Sequence, residues 1–220
     1  MPLVIAMDGP SGSGKSSASK GVAAALGLRY LDTGAMYRAM TWWMLHNGVP
    51  VEDPGAVAAR ALEPALESGT DPAAPTITVD GEDVSGPIRS REVTNAVSAV
   101  SSVPAVRARL VALQREIIGI GGIVVEGRDI GTVVAPDAQV KVYLTASEEV
   151  RARRRAQDPA ADPGASVTLT RAEQARRDRL DSTRAASPLA KAADAHEIDS
   201  TGLGLGEVIE AVVRLAKETG

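Results

Sequence analysis

Residues 9–16 read Gly9-Pro10-Ser11-Gly12-Ser13-Gly14-Lys15-Ser16, which satisfies the pattern G-x-x-x-x-G-K-[ST] in full. The glycines let the backbone curl so that several N–H groups face inward, and a helix starting at Lys15 adds its positive end to them. Lys15 is then placed for the β- and γ-phosphates of a nucleoside triphosphate, and the Ser16 hydroxyl for its Mg²⁺. The context matters more than the motif. Leu3-Val4-Ile5-Ala6-Met7 is a continuous apolar run ending at Asp8, as suits a parallel strand covered on both faces. From Lys15 to Leu26 the chain is rich in Ala, Lys and Ser, and Gly27 supplies a stop. Strand, glycine loop and helix follow in the order that a mononucleotide-binding unit requires.

Further along, 31–37 reads as a loop and Tyr37 to His46 as a helix ending at Asn47-Gly48. Val57 to Leu66 is a helical candidate interrupted by Pro64. Thr76-Ile77-Thr78-Val79 alternates, Asp80-Gly81 signals a turn, and Val84 is expected to begin a partner strand. A hairpin inside an otherwise βα chain predicts a small subdomain over about residues 35–100. Pro104 to Ile118 reads as a helix, and 123–125 and 140–144 as buried strands. Ser147 opens a basic helix through Gln157, 158–166 is a turn-rich break, and Thr170 with Glu173 has capping-box spacing for another charged helix. A last helix is predicted over 207–216.

Composition excludes several chemistries. The chain has 220 residues with no Cys and only 2 His, so thiol catalysis, disulfides, iron–sulfur clusters and His-rich metal centres are ruled out. A net charge of −4 and 2% aromatic content argue against nucleic acid or an anionic membrane as partner. The apolar start meets Asp8 at once, too short and without the basic residues of a secretory signal, so a cytoplasmic monomer is expected. No [ND]-K-x-D guanine-reading motif occurs, which favours a small-molecule kinase over a GTPase.

Arginine placement bears on the acceptor. A phosphate acceptor beside a triphosphate gathers many negative oxygens, and the rigid guanidinium fork grips two at a time. The chain carries 19 Arg against 5 Lys. Arg38 follows the 32–37 loop, Arg107 lies on the helix before the second strand, and Gly127-Arg128-Asp129 follows that strand at its carboxyl end, where open α/β sheets bind ligands. Between 151 and 184 there are nine Arg and five acids, a pattern that suits a lid over phosphates. It also suits a solvated hairpin whose arginines pair with Glu148, Glu149, Glu173 and Asp178. Arg177 and Arg184, seven apart, share a face if the helix continues that far. Asp32 is either an acceptor ligand or a helix cap, His46 and His196 are assigned no chemistry, and Met40, Trp42, Trp43 and Met44 are expected to pack a core. These residues alone leave CMP, UMP, AMP or a metabolite hydroxyl open as acceptor, and a nucleotide-controlled regulator as the non-catalytic reading.

Several motifs in one order narrow this. DGPSGSGKSS at 8–17, LDTGAMYR at 31–38, DGEDVSGPIRSREV at 80–93, NAVS at 95–98, EGRDIGTVVAPDA at 126–138 and RRDRLDSTRAASPL at 176–189 together resemble the bacterial cytidylate kinases of the nucleoside monophosphate (NMP) kinase superfamily. The resemblance covers nearly the whole chain. It implies one domain over 1–220 with an α/β, three-layer P-loop kinase fold: a central parallel sheet, an NMP-binding subdomain containing a small antiparallel sheet, and a helical lid. The CORE would take about residues 1–34, 101–150 and 185–220, the NMP-binding subdomain 35–100 and the LID 151–184.

The implied activity is ATP-dependent phosphorylation of CMP and dCMP with Mg²⁺. By resemblance, Gly9, Pro10, Ser11, Gly12, Ser13, Gly14, Lys15, Ser16 and Ser17 hold the ATP phosphates with Arg154 on the donor, and Ser16 is the metal ligand. Asp32, Thr33, Tyr37, Arg38, Ser98, Arg107, Arg128, Asp129, Asp181 and Arg184 surround CMP. Of these, the arginines take the monophosphate, Thr33, Ser98 and the Arg128–Asp129 pair read cytosine, and Asp181 lies near the pentose. Lys15, Arg128, Arg177 and Arg184 are the implied catalytic cations. Two positions depart from the common pattern. Thr33 stands where many members have Ser, and Glu126 stands where Asp is common, one methylene longer beside the expected metal.

Overall fold

The computed structural model describes residues 2–157 and 167–219. From the N-terminus, β1 (Val4–Asp8) leads through the phosphate loop into α1 (Lys15–Leu26), and β2 (Arg29–Asp32) runs directly into α2 (Thr33–His46). Next come α3 (Pro54–Arg60), the short strands β3 (Leu66–Ser68), β4 (Ile77–Val79) and β5 (Glu82–Asp83), then α4 (Arg91–Ser102) and α5 (Pro104–Ile118). β6 (Ile123–Gly127), β7 (Val140–Thr145), α6 (Glu148–Ala156), α7 (Val167–Thr183), β8 (His196–Asp199) and α8 (Leu205–Thr219) complete the described chain.

The main sheet has the order β2-β6-β1-β7-β8, with every pairing parallel. β1 is buried along its whole length because its side chains feed two cores in turn. Val4 and Ala6 join Met40, Val106 and Leu110 on the face covered by α2 and α5. Ile5 and Met7 join Val22, Val142 and Val212 on the face covered by α1 and α8. Helices on both faces make three layers, and the neighbours of β1 enter the sheet late in the chain. The connections therefore diverge at its carboxyl end and leave a crevice there.

A second sheet, β3-β4-β5, is antiparallel and packs against α2 through Leu66, Ile77 and Val79. Trp43 closes that junction, its indole N–H donating to Asp80 Oδ2 at 2.8 Å. Met40, Trp43 and Met44 are buried in this core with Trp42 packed against it, as their helical spacing suggests.

Some boundaries differ from expectation. The predicted loop at 31–37 is strand to Asp32 and helix from Thr33, because the Asp32 carboxylate caps α2 by accepting the Ala35 N–H at 2.9 Å. The predicted helix over 57–66 is α3, which starts earlier at Pro54, stops at Arg60 and gives way to a strand at Leu66. The partner of β4 is Glu82–Asp83 rather than a strand beginning at Val84, and β3 makes the expected hairpin three-stranded. α7 is already helical at Val167, so Thr170 lies inside its first turn and is not its cap. The turn-rich segment at 158–166 falls outside the described residues. Among the described residues, no single helix is long and apolar enough to cross a membrane.

Candidate active site at the ends of β1 and β6

β1 delivers the phosphate loop with almost no clearance. A Cβ on Gly9 would lie 2.0 Å from the Leu144 carbonyl oxygen of β7, so only glycine lets the loop leave the sheet there. Gly14, at φ +92°, turns the chain into α1 with its first amides facing the cleft. Lys15 is buried, and its Nζ donates back to the Pro10 carbonyl at 2.8 Å and to Ser13 Oγ at 3.4 Å. Burial lowers its pKa to about 7, and the Arg128 charge pushes the same way against the carboxylates of Glu126 and Asp8. A triphosphate would supply the negative charge that this ammonium lacks.

Ser16 Oγ donates to Glu126 Oε2 at 3.0 Å, which leaves the hydroxyl lone pairs open toward the cleft. That arrangement fits a magnesium ion held by Ser16 and nucleotide oxygens. Burial, reinforced by the neighbouring Asp32, raises the Glu126 pKa to about 7.

The cleft of about 580 Å³ continues from the phosphate loop to the carboxyl end of β6. Arg38 from α2, Arg107 from α5, Arg128 after β6, Arg177 from α7 and Arg184 all line it. Arg107 pairs with Asp129 inside the protein and lies 5.2 Å above the Tyr37 ring, a cation–π contact. Arg184 reaches Asp129 at 3.7 Å and Asp181 at 3.8 Å, and Arg128 Nε donates to Asp181 at 3.2 Å. Positive and negative side chains therefore alternate along the wall. Burial followed by like charge lowers the pKa of Arg38 to about 9 and of Arg177 to about 10. Arg177 Nε is buried with no hydrogen-bond partner among the described residues. An anion between these groups would relieve both the repulsion and the orphaned donor.

The cleft brings together nearly every residue expected at a site. Ser11 to Ser17, Asp32, Thr33, Tyr37, Ser98, Asp129, Arg154 and Asp181 line it with the arginines, whereas Gly9 and Pro10 do not. Within the wall, Arg128 engages Asp181, and Asp129 engages Arg107 and Arg184. Arg184 lies one residue past α7, so it does not share a helix face with Arg177. Thr33 Oγ1 donates its hydrogen to the Glu126 carbonyl at 2.7 Å. Arg154 is held by the carbonyls of Ser13 (3.2 Å) and Ser200 (2.8 Å) and by Ser200 Oγ (2.9 Å).

In the basic hairpin the solvated alternative holds for Arg153 with Glu149 and Arg171 with Glu148, which are exposed pairs. His46 stacks on Trp42 with centroids 4.9 Å apart and is no part of the cleft wall. Two lining residues carry little sequence signal: Ser200 follows a polar edge strand and Leu205 opens the last helix.

A phosphate loop at one end of a cleft and a run of converging arginines at the other define a P-loop phosphotransferase with separate donor and acceptor sites. The family model described as cytidylate kinase matches residues 5–218. The chain belongs to the cytidylate kinase family. It is 60% identical to a cytidylate kinase of Streptomyces griseus over 98% of this chain and 93% of that one. It is 51% identical to one of Mycobacterium leprae over 98% and 96% of the two chains. Among solved structures, an uncharacterized protein from Eubacterium ventriosum superposes with a TM-score of 0.55 at 11% identity over 99% of each chain. A shikimate kinase from Acinetobacter baumannii gives 0.50 at 14% identity over 99% of this chain and 94% of that one. These two likenesses speak to the fold alone.

Proposed function

We propose that this cleft transfers the γ-phosphoryl group of Mg²⁺-ATP directly to the phosphate of CMP or dCMP, giving ADP and CDP or dCDP. The convergence of Arg38, Arg107, Arg128, Arg177 and Arg184 beyond the phosphate loop carries the reading, because it provides for a second phosphate-bearing ligand facing the first. Membership of the family selects the cytosine nucleotide. In the transfer, an acceptor phosphate oxygen attacks the γ-phosphorus while the bond to the β,γ-bridging oxygen breaks and ADP departs. The attacking oxygen is already ionised, so no general base is required.

Lys15 and the loop amides hold the donor phosphates, and Arg128, Arg177 and Arg184 balance charge on the transferring group. Arg38 holds the acceptor phosphate. Arg107 joins Arg38 on that phosphate, Thr33, Ser98 and the Arg128–Asp129 pair read cytosine, and Asp181 lies near the pentose. Ser16 would hold magnesium, which would supply positive charge to the donor oxygens. The division into CORE, NMP-binding subdomain and LID belongs to the same reading, with α6 and α7 closing over the phosphates to exclude water.

A steady-state panel of CMP, dCMP, UMP, AMP and hydroxyl acceptors with ATP and Mg²⁺ tests it. The expected order puts CMP and dCMP first in kcat/KM, and higher kcat/KM for AMP, UMP or a hydroxyl acceptor would sink the assignment.

A further inference from the structure

Tyr30 lies on β2, opposite Val124 of β6 in a parallel pairing. Glu126 is two residues further along β6 and so projects from the same face of the sheet, diagonal to Tyr30 and within reach of a long aromatic side chain. Both are almost fully buried, at 2% and 4% exposure. The Tyr30 hydroxyl donates to Glu126 Oε1, while Glu126 Oε2 accepts the hydrogen of Ser16 Oγ at 3.0 Å. Burial and the adjoining carboxylates hold the phenol well above its usual pKa, so it remains a donor.

The chain Tyr30–Glu126–Ser16 settles a geometric problem. A glutamate has one more rotatable bond than an aspartate, and a single contact at Ser16 would leave its carboxylate free to turn. With one oxygen fixed by the phenol, the other must face Ser16. Ser16 then spends its only hydrogen on Glu126 and keeps its lone pairs for the cleft. No other side chain hydrogen bond is made by the Tyr30 hydroxyl among the described residues, so the phenol has no second polar duty there.

We propose that Tyr30 is a positioning residue for the metal–nucleotide subsite, acting through Glu126 to orient Ser16 toward the cation of Mg²⁺-ATP. This rests on the assignment of Ser16 as magnesium ligand, and the test separates the two. Calorimetry measures the affinity of a non-hydrolysable ATP analogue in EDTA and in Mg²⁺, and the ratio is the metal-dependent gain.

Tyr30→Phe keeps the ring and removes the hydroxyl. The gain is expected to fall about 10-fold, the scale of losing an outer partner of a metal ligand, with affinity in EDTA changed less than about 2-fold. Glu126→Asp withdraws the carboxylate from one partner and should lower the gain similarly, and Tyr30→Phe/Glu126→Asp should lose no more than the larger single effect. If Ser16→Ala abolishes the gain and Tyr30→Phe leaves it intact, the positioning role is wrong while the magnesium site stands. If Ser16→Ala leaves the gain unchanged, the magnesium site itself is wrong. Equal losses with and without metal in Tyr30→Phe, or fully additive losses in the double variant, would reduce Tyr30 to a packing residue.

Discussion

Asp8 closes β1 with its carboxylate turned across the sheet, accepting the N–H groups of Ile130 at 2.8 Å and Gly131 at 2.7 Å. It ties the segment after Arg128 and Asp129 to the strand that delivers the phosphate loop, so both halves of the cleft share an anchor. Burial raises its pKa from 3.8 to about 6, the two amides oppose that shift, and the charges of Asp129 and Lys15 act more weakly in opposite directions. Because the folded pKa is the higher, the native state binds the extra proton between about pH 4 and 6, and Asp8 lowers stability as pH rises through that window. Above it the penalty is constant, on the order of 3 kcal/mol. Asp8→Asn lacks the titration while other carboxylates are common to both proteins. The wild-type Tm minus the variant Tm should therefore shrink by roughly 5 °C between pH 4.5 and 6.5 and then level off. A difference that stays flat or grows over that range would mean Asp8 is ionised throughout.

At the scale of elements, α1 and α8 approach closely because Gly21 has no side chain. A Cβ there would come within 2.2 Å of Ile209 Cδ1 and 2.9 Å of Cγ1. Gly21→Ala gains about 1 kcal/mol of helix propensity but forces α8 aside, which costs about 1–3 kcal/mol. A net loss of about 1 kcal/mol in urea titration is expected, and Ile209→Val, which removes the nearest atom, should recover part of it in the double variant. A more stable Gly21→Ala protein would show that α8 gives way freely.

Legibility from sequence follows the same packing logic. β1, β6 and β7 are apolar runs buried by helices, and α5 agrees with its prediction at both ends. β8 is His196-Glu197-Ile198-Asp199 at the sheet edge, mostly exposed, so no apolar pattern marks it. β2 has charged residues at both ends and only Tyr30 and Leu31 between them. α4 is rich in Ser, Thr, Asn and Val, poor helix formers, and is held by Val93, Val97 and Val100 in the core. Arg38, Arg128, Arg177 and Arg184 were legible because each stands in a motif or at a strand end, whereas Arg107 lies within α5 and was placed only by resemblance. Their partners were not legible, since pairing Arg128 with Asp181 needs the path of α7 in space.

Across the whole molecule, α7 links the phosphate loop to α4 on the far side of the cleft. Asp178 pairs with Arg151 and accepts the Ser11 N–H of the phosphate loop at 3.1 Å, while Glu173 approaches Arg91 of α4 at 3.6 Å. The Arg91–Glu173 pair is solvent-exposed and so adds little stability, but it joins the basic hairpin to the acceptor side. Arg91→Glu should raise the CMP KM by no more than about 5-fold at low salt, Arg91→Glu/Glu173→Arg should restore it, and 0.5 M KCl should erase the difference. If charge reversal on both sides fails to restore KM, the pair does not couple the two elements.

The run Arg107–Asp129–Arg184–Asp181–Arg128 has one last implication. The protein's own carboxylates sit between the guanidinium groups and offset their mutual repulsion, so the wall is a counter-charged array held by the fold. A phosphate drawn to the wall would compete with these carboxylates for the guanidinium hydrogens, as a counter-ion competes on an ion-exchange resin. Each swap trades one set of charge-assisted hydrogen bonds for another. Such a site can grip phosphate firmly enough to orient it and still release the diphosphate product within a turnover.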